Sequence, residues 1–467
     1  MMRITERPEE TKPLTRIAYS FGTLADNLAL QNFMFLGFAY YLTHVGLQAW
    51  MISVVWIMYS IWDAFDDPMI GVISDRTKTR WGRRKIYVLI SWIPLCLLMI
   101  ILWFPGNLIQ GTDLAIMVYL LAVLILFDLI FTMFTVNFNG LWPEMFLTDH
   151  DRRRVGLWRS VFTIVGLLIA FLTPEFIIGD LINQGDPEAP AKFLLNGIIA
   201  AAVVFVTIAI MFIWGSFERK EFAKDAENAP TWKESFRITL KNRAFVLYAI
   251  TALAVFIVYN ILPTIVPFYA EVVIENVDSG IVIFVALLTG MLSTPLWMYL
   301  QRKLGIRKAY MLSIAFWAIS LPIMSFIPQK NDALLTYILV AVMGVGLGGS
   351  LYLYDQGIAV VIDDDSARSG LRVRREGAYY GVIAFFNRFS TGINFAVIAF
   401  VFTGTGWGEW EIRDTGPMGE LGVRFLIGLW PVVILVVALI CLYFWPLRKE
   451  RIDQNKIILD EIKQSKL

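Results

Sequence analysis

Three carboxylates interrupt one apolar stretch: Asp63, Asp66 and Asp67 in WDAFDDPMIG. At helical spacing Asp63 and Asp67 are i,i+4 neighbours and Asp66 is i+3 from Asp63, so the three share one side of a helix. Like charges at that separation repel, and the set needs a shared proton or a bound cation. Pro68 follows directly and releases a backbone carbonyl one turn earlier, a further oxygen ligand. The competing reading is ion pairing within the bundle, for which the apolar stretches offer only Arg159 and Arg388. Asp26, with Asn27 and Asn32 beside it, is a second polar centre, suited to accept hydrogen bonds from a polar solute or to pair with an arginine. Asp128 and Asp355 are similar isolated acids for which structural and functional readings weigh equally. Arg159, and Arg388 beside Asn387, either clamp a solute oxygen or neutralise an acid. Trp62, Trp158, Tyr379 and Tyr380 lie close to these charges in sequence, and their rings suit the apolar face of a sugar or ordinary packing.

Other chemistries lack their residues. His44 and His150 fall at stretch ends, which removes a mid-membrane histidine relay. Cys96 and Cys441 lie inside apolar stretches and form no disulfide framework or paired-cysteine metal motif. The sequence contains no phosphate-binding P-loop, H-E-x-x-H or nucleophile elbow.

The elements that carry these residues follow from composition. Of 467 residues, 57% are hydrophobic and 17% charged, which excludes disorder and an ordinary soluble fold. A hydrocarbon core of about 30 Å needs roughly 20 helical residues. Twelve such stretches occur, at 17–43, 49–74, 86–104, 113–142, 155–178, 194–215, 244–270, 280–301, 309–328, 334–362, 377–403 and 424–445. The run from Gly197 to Trp214 does not alternate, which argues against a β-barrel. The reading is therefore an all-α membrane protein of twelve transmembrane helices. Residues 1–16 are polar and the next stretch exceeds a signal-peptide core, so no cleaved segment is expected. Of the 40 Lys and Arg, 34 fall on the side that holds both termini and 4 on the other, which places both termini in the cytoplasm of a cell membrane. The polar segment 216–243 separates two six-helix bundles, 1–215 and 244–467, the second ending in a cytoplasmic tail. GVISDRTKTRWGRRK after the second stretch is echoed by LQRKLGIRKAY after the eighth, a weak internal repeat whose plain reading is two positive-inside loops. A net charge of +1 gives no reason to expect nucleic acid.

The stretch WDAFDDPMIGVISDRTKTRWGRRK resembles the major facilitator superfamily, and within it the melibiose permease-like glycoside-pentoside-hexuronide:cation symporter family. FGTLADN, FTMFTVNFNGLWPEM, DRRRVGLWRS and RREGAYYGVIAFFNR extend the resemblance along most of the chain. It implies a cation site at Asp63 and Asp67 completed by Thr132, with Asp66 where the family has an asparagine. It implies solute contacts at Asp26 and Arg159, and Arg388 stands where the family pattern has a lysine. Thr135 and Asn139 replace a second sugar-binding aspartate and a stacking tryptophan, so galactoside recognition does not carry over. Gly71, Asp75, Arg76 and Arg80 match the loop that gates the cytoplasmic side.

The expected function is a cation-coupled symporter, not an enzyme, that moves a sugar or glycoside by alternating access. The coupling ion is sodium, held by Asp63 and Asp67, or a proton, which the extra carboxylate Asp66 favours because adjacent carboxylates share protons. No cofactor is expected. The partners are the small-molecule solute, the cation and membrane lipid around a monomer, with no nucleic acid. A lysolipid is the alternative solute. An intramembrane prenyltransferase, using DAFDDP and VIDDDSAR for magnesium diphosphate, is the remote one.

Overall fold

The computed structural model describes residues 11–77, 79, 82–104, 112–146, 148–182, 186–218, 232–275, 277–369, 376–406 and 416–464. These residues form 15 α-helices and three short π-helical segments and contain no strand. Helix is what an apolar chain must form in lipid, because only it satisfies the backbone of each stretch internally. The chain divides into two compact units, Met1–Ala229 and Pro230–Leu467.

The first unit holds α1 (Pro13–Thr43), α2 (Ala49–Arg76), α3 (Lys85–Ile101), α4 (Asp113–Met145), α5 (Asp149–Ile177) and α6 (Ala189–Ile210), which continues as a π segment, Met211–Gly215. Helix α1 packs along α5 and α6, α2 lies against α4, and α3 lies against α4 and α6. Leu28, Phe127, Phe134, Phe138, Ala170 and Val204 form the centre of this core. Buried polar groups stitch it together. The Tyr19 hydroxyl donates to the Phe138 carbonyl at 2.6 Å. Asn196 Nδ2 donates to Asn32 Oδ1 at 3.4 Å, and Asn32 Nδ2 to the Ala170 carbonyl at 3.5 Å. Asn32 therefore acts as an interhelical tie among α1, α5 and α6, a common use of amides in lipid.

The second unit holds α7 (Trp232–Lys241), α8 (Arg243–Phe268), α9 (Ser279–Leu304), α10 (Ile306–Phe326), α11 (Ala333–Ser369), α12 (Glu376–Gly404), α13 (Gly416–Arg424), α14 (Trp430–Phe444) and α15 (Lys449–Gln464). The π segment Phe425–Leu429 joins α13 to α14. Helices α9 and α11 cross at near backbone contact: a Cβ on Gly348 would sit 2.0 Å from the Gly290 carbonyl oxygen. Small residues at such crossings replace the hydrophobic driving force that lipid removes.

Among the described residues nine helices are long and apolar enough to cross a membrane, and α3 is a shorter apolar helix of 17 residues. Helices α1 and α2 fall short in hydropathy because they carry Asp26, Asn27, Gln31 and Asn32 in one case and Asp63, Asp66 and Asp67 in the other. Together α1–α6, α8–α12 and the joined α13–α14 correspond to the twelve apolar stretches of the sequence. Boundaries differ from the hydropathic reading where capping decides them. Helix α5 starts at Asp149 rather than 155 because the Thr148 side chain accepts from the Asp151 N–H at 3.1 Å. Asn242 likewise caps α8, accepting from Ala244 N–H at 3.0 Å. The amphipathic α7 and the polar α15 carry no long apolar run.

Candidate functional site

Asp63 and Asp66 on α2 and Asp128 on α4 are all buried, and each offers a carboxylate oxygen within 4.8 Å of the others. Asp67 turns to the other flank of α2, half-buried, and accepts from Thr132 Oγ1 at 3.3 Å. The division follows from 100° per residue: Asp66 and Asp67 flank Asp63 on opposite sides, so one approaching helix cannot gather all three equally. Where the sequence pairs Asp63 with Asp67, the geometry groups Asp63 with Asp66 and Asp128 and leaves Asp67 to Thr132. Asp128, for which the sequence leaves structural and functional readings level, is the third acid of this buried group. Its signal is its spacing: Asp128, Thr132, Thr135 and Asn139 fall at i, i+4, i+7 and i+11, one stripe of α4.

A second polar group continues along that stripe. Thr135 Oγ1 donates to Asp26 Oδ1 at 2.6 Å, Asn139 Nδ2 donates to Thr135 Oγ1 at 3.2 Å, and an Arg159 NH2 group donates to Asn139 Oδ1 at 2.7 Å. Arg159 Nε also donates to Thr23 Oγ1 at 3.2 Å. The guanidinium lies 4.8 Å from the Trp142 ring centroid and 5.4 Å from that of Phe138, a stacked seat that orients its fork. Thr23 and Trp142 went unmarked in the sequence. Trp142 sits one turn beyond Asn139, whereas Trp158, the aromatic singled out beside Arg159, is 39% exposed and contacts Phe162. Asp26 is the fourteenth of 31 residues in α1, at mid-helix, and is half-buried with Thr135 and Arg159, while Asn139 is exposed. The network is therefore reachable from one end and leads inward to the acids.

Arg388 lies half-buried on α12 in the second unit. Its neighbour Asn387 donates to the Tyr354 hydroxyl at 3.1 Å. Tyr379 is buried and its hydroxyl accepts from Asn242 Nδ2 at 3.2 Å, a structural tie, whereas Tyr380 is exposed. Asp355 is exposed on α11.

Of the expected gating residues, Gly71 is half-buried on α2, and a Cβ there would meet only Val136 Cγ1 at an ordinary 4.0 Å. Asp75 and Arg76 end α2, their side chains outside the described residues, and Arg80 lies outside them altogether. Next to this loop stands an arrangement the sequence did not disclose. The Glu218 carboxylate accepts from the backbone N–H groups of Arg83, Arg84 and Lys85 at 2.8, 2.7 and 2.6 Å, an acidic cap on the N-terminus of α3. Gly82, at φ +104°, passes so close that a Cβ would lie 2.4 Å from the Glu218 carboxyl carbon. Glu144 at the end of α4 accepts from both Arg83 and Arg84, at 2.5 and 2.9 Å. A cap 133 residues away in sequence leaves no local signature.

The family described as MFS/sugar transport protein matches residues 18–449. The chain is 20% identical over 489 residues to the sodium-dependent lysophosphatidylcholine symporter 1-A of Danio rerio, with 97% of this chain and 90% of the relative covered. It is 21% identical over 466 residues to the glucuronide carrier protein homolog of Escherichia coli (strain K12), with 96% of each covered. Among solved structures, that of the nucleoside transporter NupG superposes with a TM-score of 0.65 at 12% identity, covering 93% of this chain and 100% of the other, a likeness of fold.

Proposed function

The chain belongs to the MFS/sugar transport protein family, and from that premise we propose that it is a cation-coupled symporter of the cell membrane, with both termini cytoplasmic, carrying a sugar or glycoside by alternating access. Membership in a transport family leaves the prenyltransferase reading without support. The observation that carries the proposal is the single stripe of α4 that begins at the buried acids with Asp128, bonds Asp67 through Thr132 and Asp26 through Thr135, and ends at Asn139, which accepts from Arg159 of α5.

The acids fit a small cation. Oxygens of one coordination shell around an ion of calcium size lie about 2.3–2.6 Å from it, hence up to about 5 Å apart, and sodium is of similar radius. The 4.8 Å within which Asp63, Asp66 and Asp128 gather matches that shell. A cation there relieves repulsion among the acids and draws α2 against α4. The same ordering sets Thr132 and Thr135, one turn apart, so solute held by Asp26 and Arg159 and cation held by the acids favour the same arrangement. Arg159 presents paired N–H donors to hydroxyl or carboxylate oxygens of the solute, Asp26 accepts from its hydroxyls, and the Trp142 and Phe138 rings hold the guanidinium. Each charge carried inward across 100 mV gains about 2.3 kcal/mol, enough to accumulate solute. The ion is Na+ or H+; relatives named as sodium-dependent support the first and the additional carboxylates the second.

A lysolipid is the second reading, supported by the relative named for lysophosphatidylcholine and by the exposed Leu157, Trp158 and Val161 around Arg159 on α5. Uptake into proteoliposomes across a panel of sugars, glycosides, hexuronides and lysolipids, with sodium and proton gradients imposed separately, distinguishes these. Accumulation of a sugar-type solute driven by one cation gradient is expected. Accumulation of lysolipid alone replaces the solute class, and flux indifferent to both cations overturns symport.

A further inference from the structure

In the second unit, the turn between α9 and α10 and the join between α14 and α15 enclose a hollow of about 650 Å³. Lys303, Arg307, Lys308, Arg448 and Lys449 line it, opposed only by Glu450 among its described lining residues. Its shape is built rather than incidental. Arg307 Nε donates to the Leu442 carbonyl at 2.9 Å and an Arg307 NH2 group donates to the Tyr443 carbonyl, so one guanidinium satisfies the last carbonyls of α14 and pins them to α10. Gly305, at φ +80°, lets the start of α15 close over the turn, where a Cβ would approach Lys449 Cβ to 3.2 Å. None of the five basic residues forms an ion pair with an acid among the described residues. Packing that much like charge around one hollow is unfavourable until an anion enters. The N-termini of α10 and α15 add their partial positive charge at the same place.

The flank of the hollow is apolar. Tyr443 and Met311 form part of its wall, and Leu312, Ile440 and Phe444 lie exposed on the adjoining turns of α10 and α14. A soluble phosphate has no use for such a flank, but the acyl chains beneath a headgroup do. We propose that this hollow seats the phosphate headgroup of an anionic phospholipid from the leaflet that the Lys and Arg distribution assigns to the cytoplasm, with its chains along α10 and α14. Lys303, Lys308 and Lys449 supply mobile charge, and Arg307 holds the frame. The turn is the LQRKLGIRKAY segment, so its basic residues serve a ligand as well as orientation.

The test uses the purified full-length chain in neutral detergent, titrated with dioctanoyl phosphatidylglycerol and followed by thermal stability and native mass spectrometry. Phosphatidylglycerol is expected to bind and raise the unfolding temperature, and dioctanoyl phosphatidylcholine to do neither. The triple variant Lys303→Gln/Lys308→Gln/Lys449→Gln changes exposed side chains only. It should weaken binding roughly a hundredfold, since each interfacial Lys or Arg is worth on the order of fivefold. Arg152→Gln/Arg153→Gln/Arg154→Gln, altering exposed cations elsewhere, should leave it unchanged. Equal losses in the two triple variants, no loss in the first, or equal binding of phosphatidylcholine would overturn the site. Glycerol 1-phosphate giving the same variant-sensitive shift at the same concentration would overturn a lipid as its source.

Discussion

Asp128 is the residue at which sequence and geometry part most clearly. Taken singly it is one acid in an apolar helix; against Asp63 and Asp66 it completes a buried oxygen group on two helices. Its pairing is a tertiary fact, and only the α4 stripe hinted at it. Two outcomes follow at this scale. Asp128→Asn should lower apparent cation affinity in uptake assays by about tenfold or more, because one of three acidic ligands is lost; unchanged cation dependence would remove Asp128 from the group. Arg159→Lys keeps the charge but loses the fork that reaches Asn139 and Thr23 together. Solute KM should rise about ten- to hundredfold with cation dependence intact, and a KM equal to wild type would mean that Arg159 does not touch solute. Asp26 and Arg159 were legible because charge in an apolar run is conspicuous. Thr23 and Trp142, which seat the arginine, were not, since hydroxyls and rings are commonplace in such helices.

At the scale of elements, hydropathy located the spans but not the devices that end or tie them. The cap on α3 comes from Glu218 beyond α6, and three N–H groups depend on it. Glu218→Ala should cost about 1–3 kcal/mol of stability, read as a lower unfolding midpoint in detergent, and Glu218→Gln should recover part of it. No change in either variant would deny the cap its role. His44, just past α1, illustrates a pH-dependent end. Burial lowers its imidazole pKa below the ordinary value, with its ring bonded to the Leu181 carbonyl and Asp186 opposing the shift. The neutral form is favoured in the fold, so this contribution is full above the unfolded value of about 6.5 and is lost as pH falls through the lowered folded one. His44→Gln should flatten the stability profile between about pH 7 and 5. A profile as steep as wild type would place the titration elsewhere.

For the whole molecule, twelve apolar stretches and a polar middle segment announced an all-α membrane fold, and the family match agrees with it. What stayed hidden were α7, α15 and the early start of α5, all polar or capped rather than apolar. The account predicts that a reporter fused to either terminus is cytoplasmic and that uptake responds to an inside-negative potential. Its central claim, that buried acids on α2 and α4 hold the cation which drives solute uptake, is tested most directly by one comparison. Cation-stimulated uptake of the best-carried solute should be measured in proteoliposomes holding equal amounts of wild type and Asp63→Asn. The account predicts loss of the stimulation in the variant with residual, cation-independent solute exchange; undiminished stimulation at the wild-type cation concentration would contradict it.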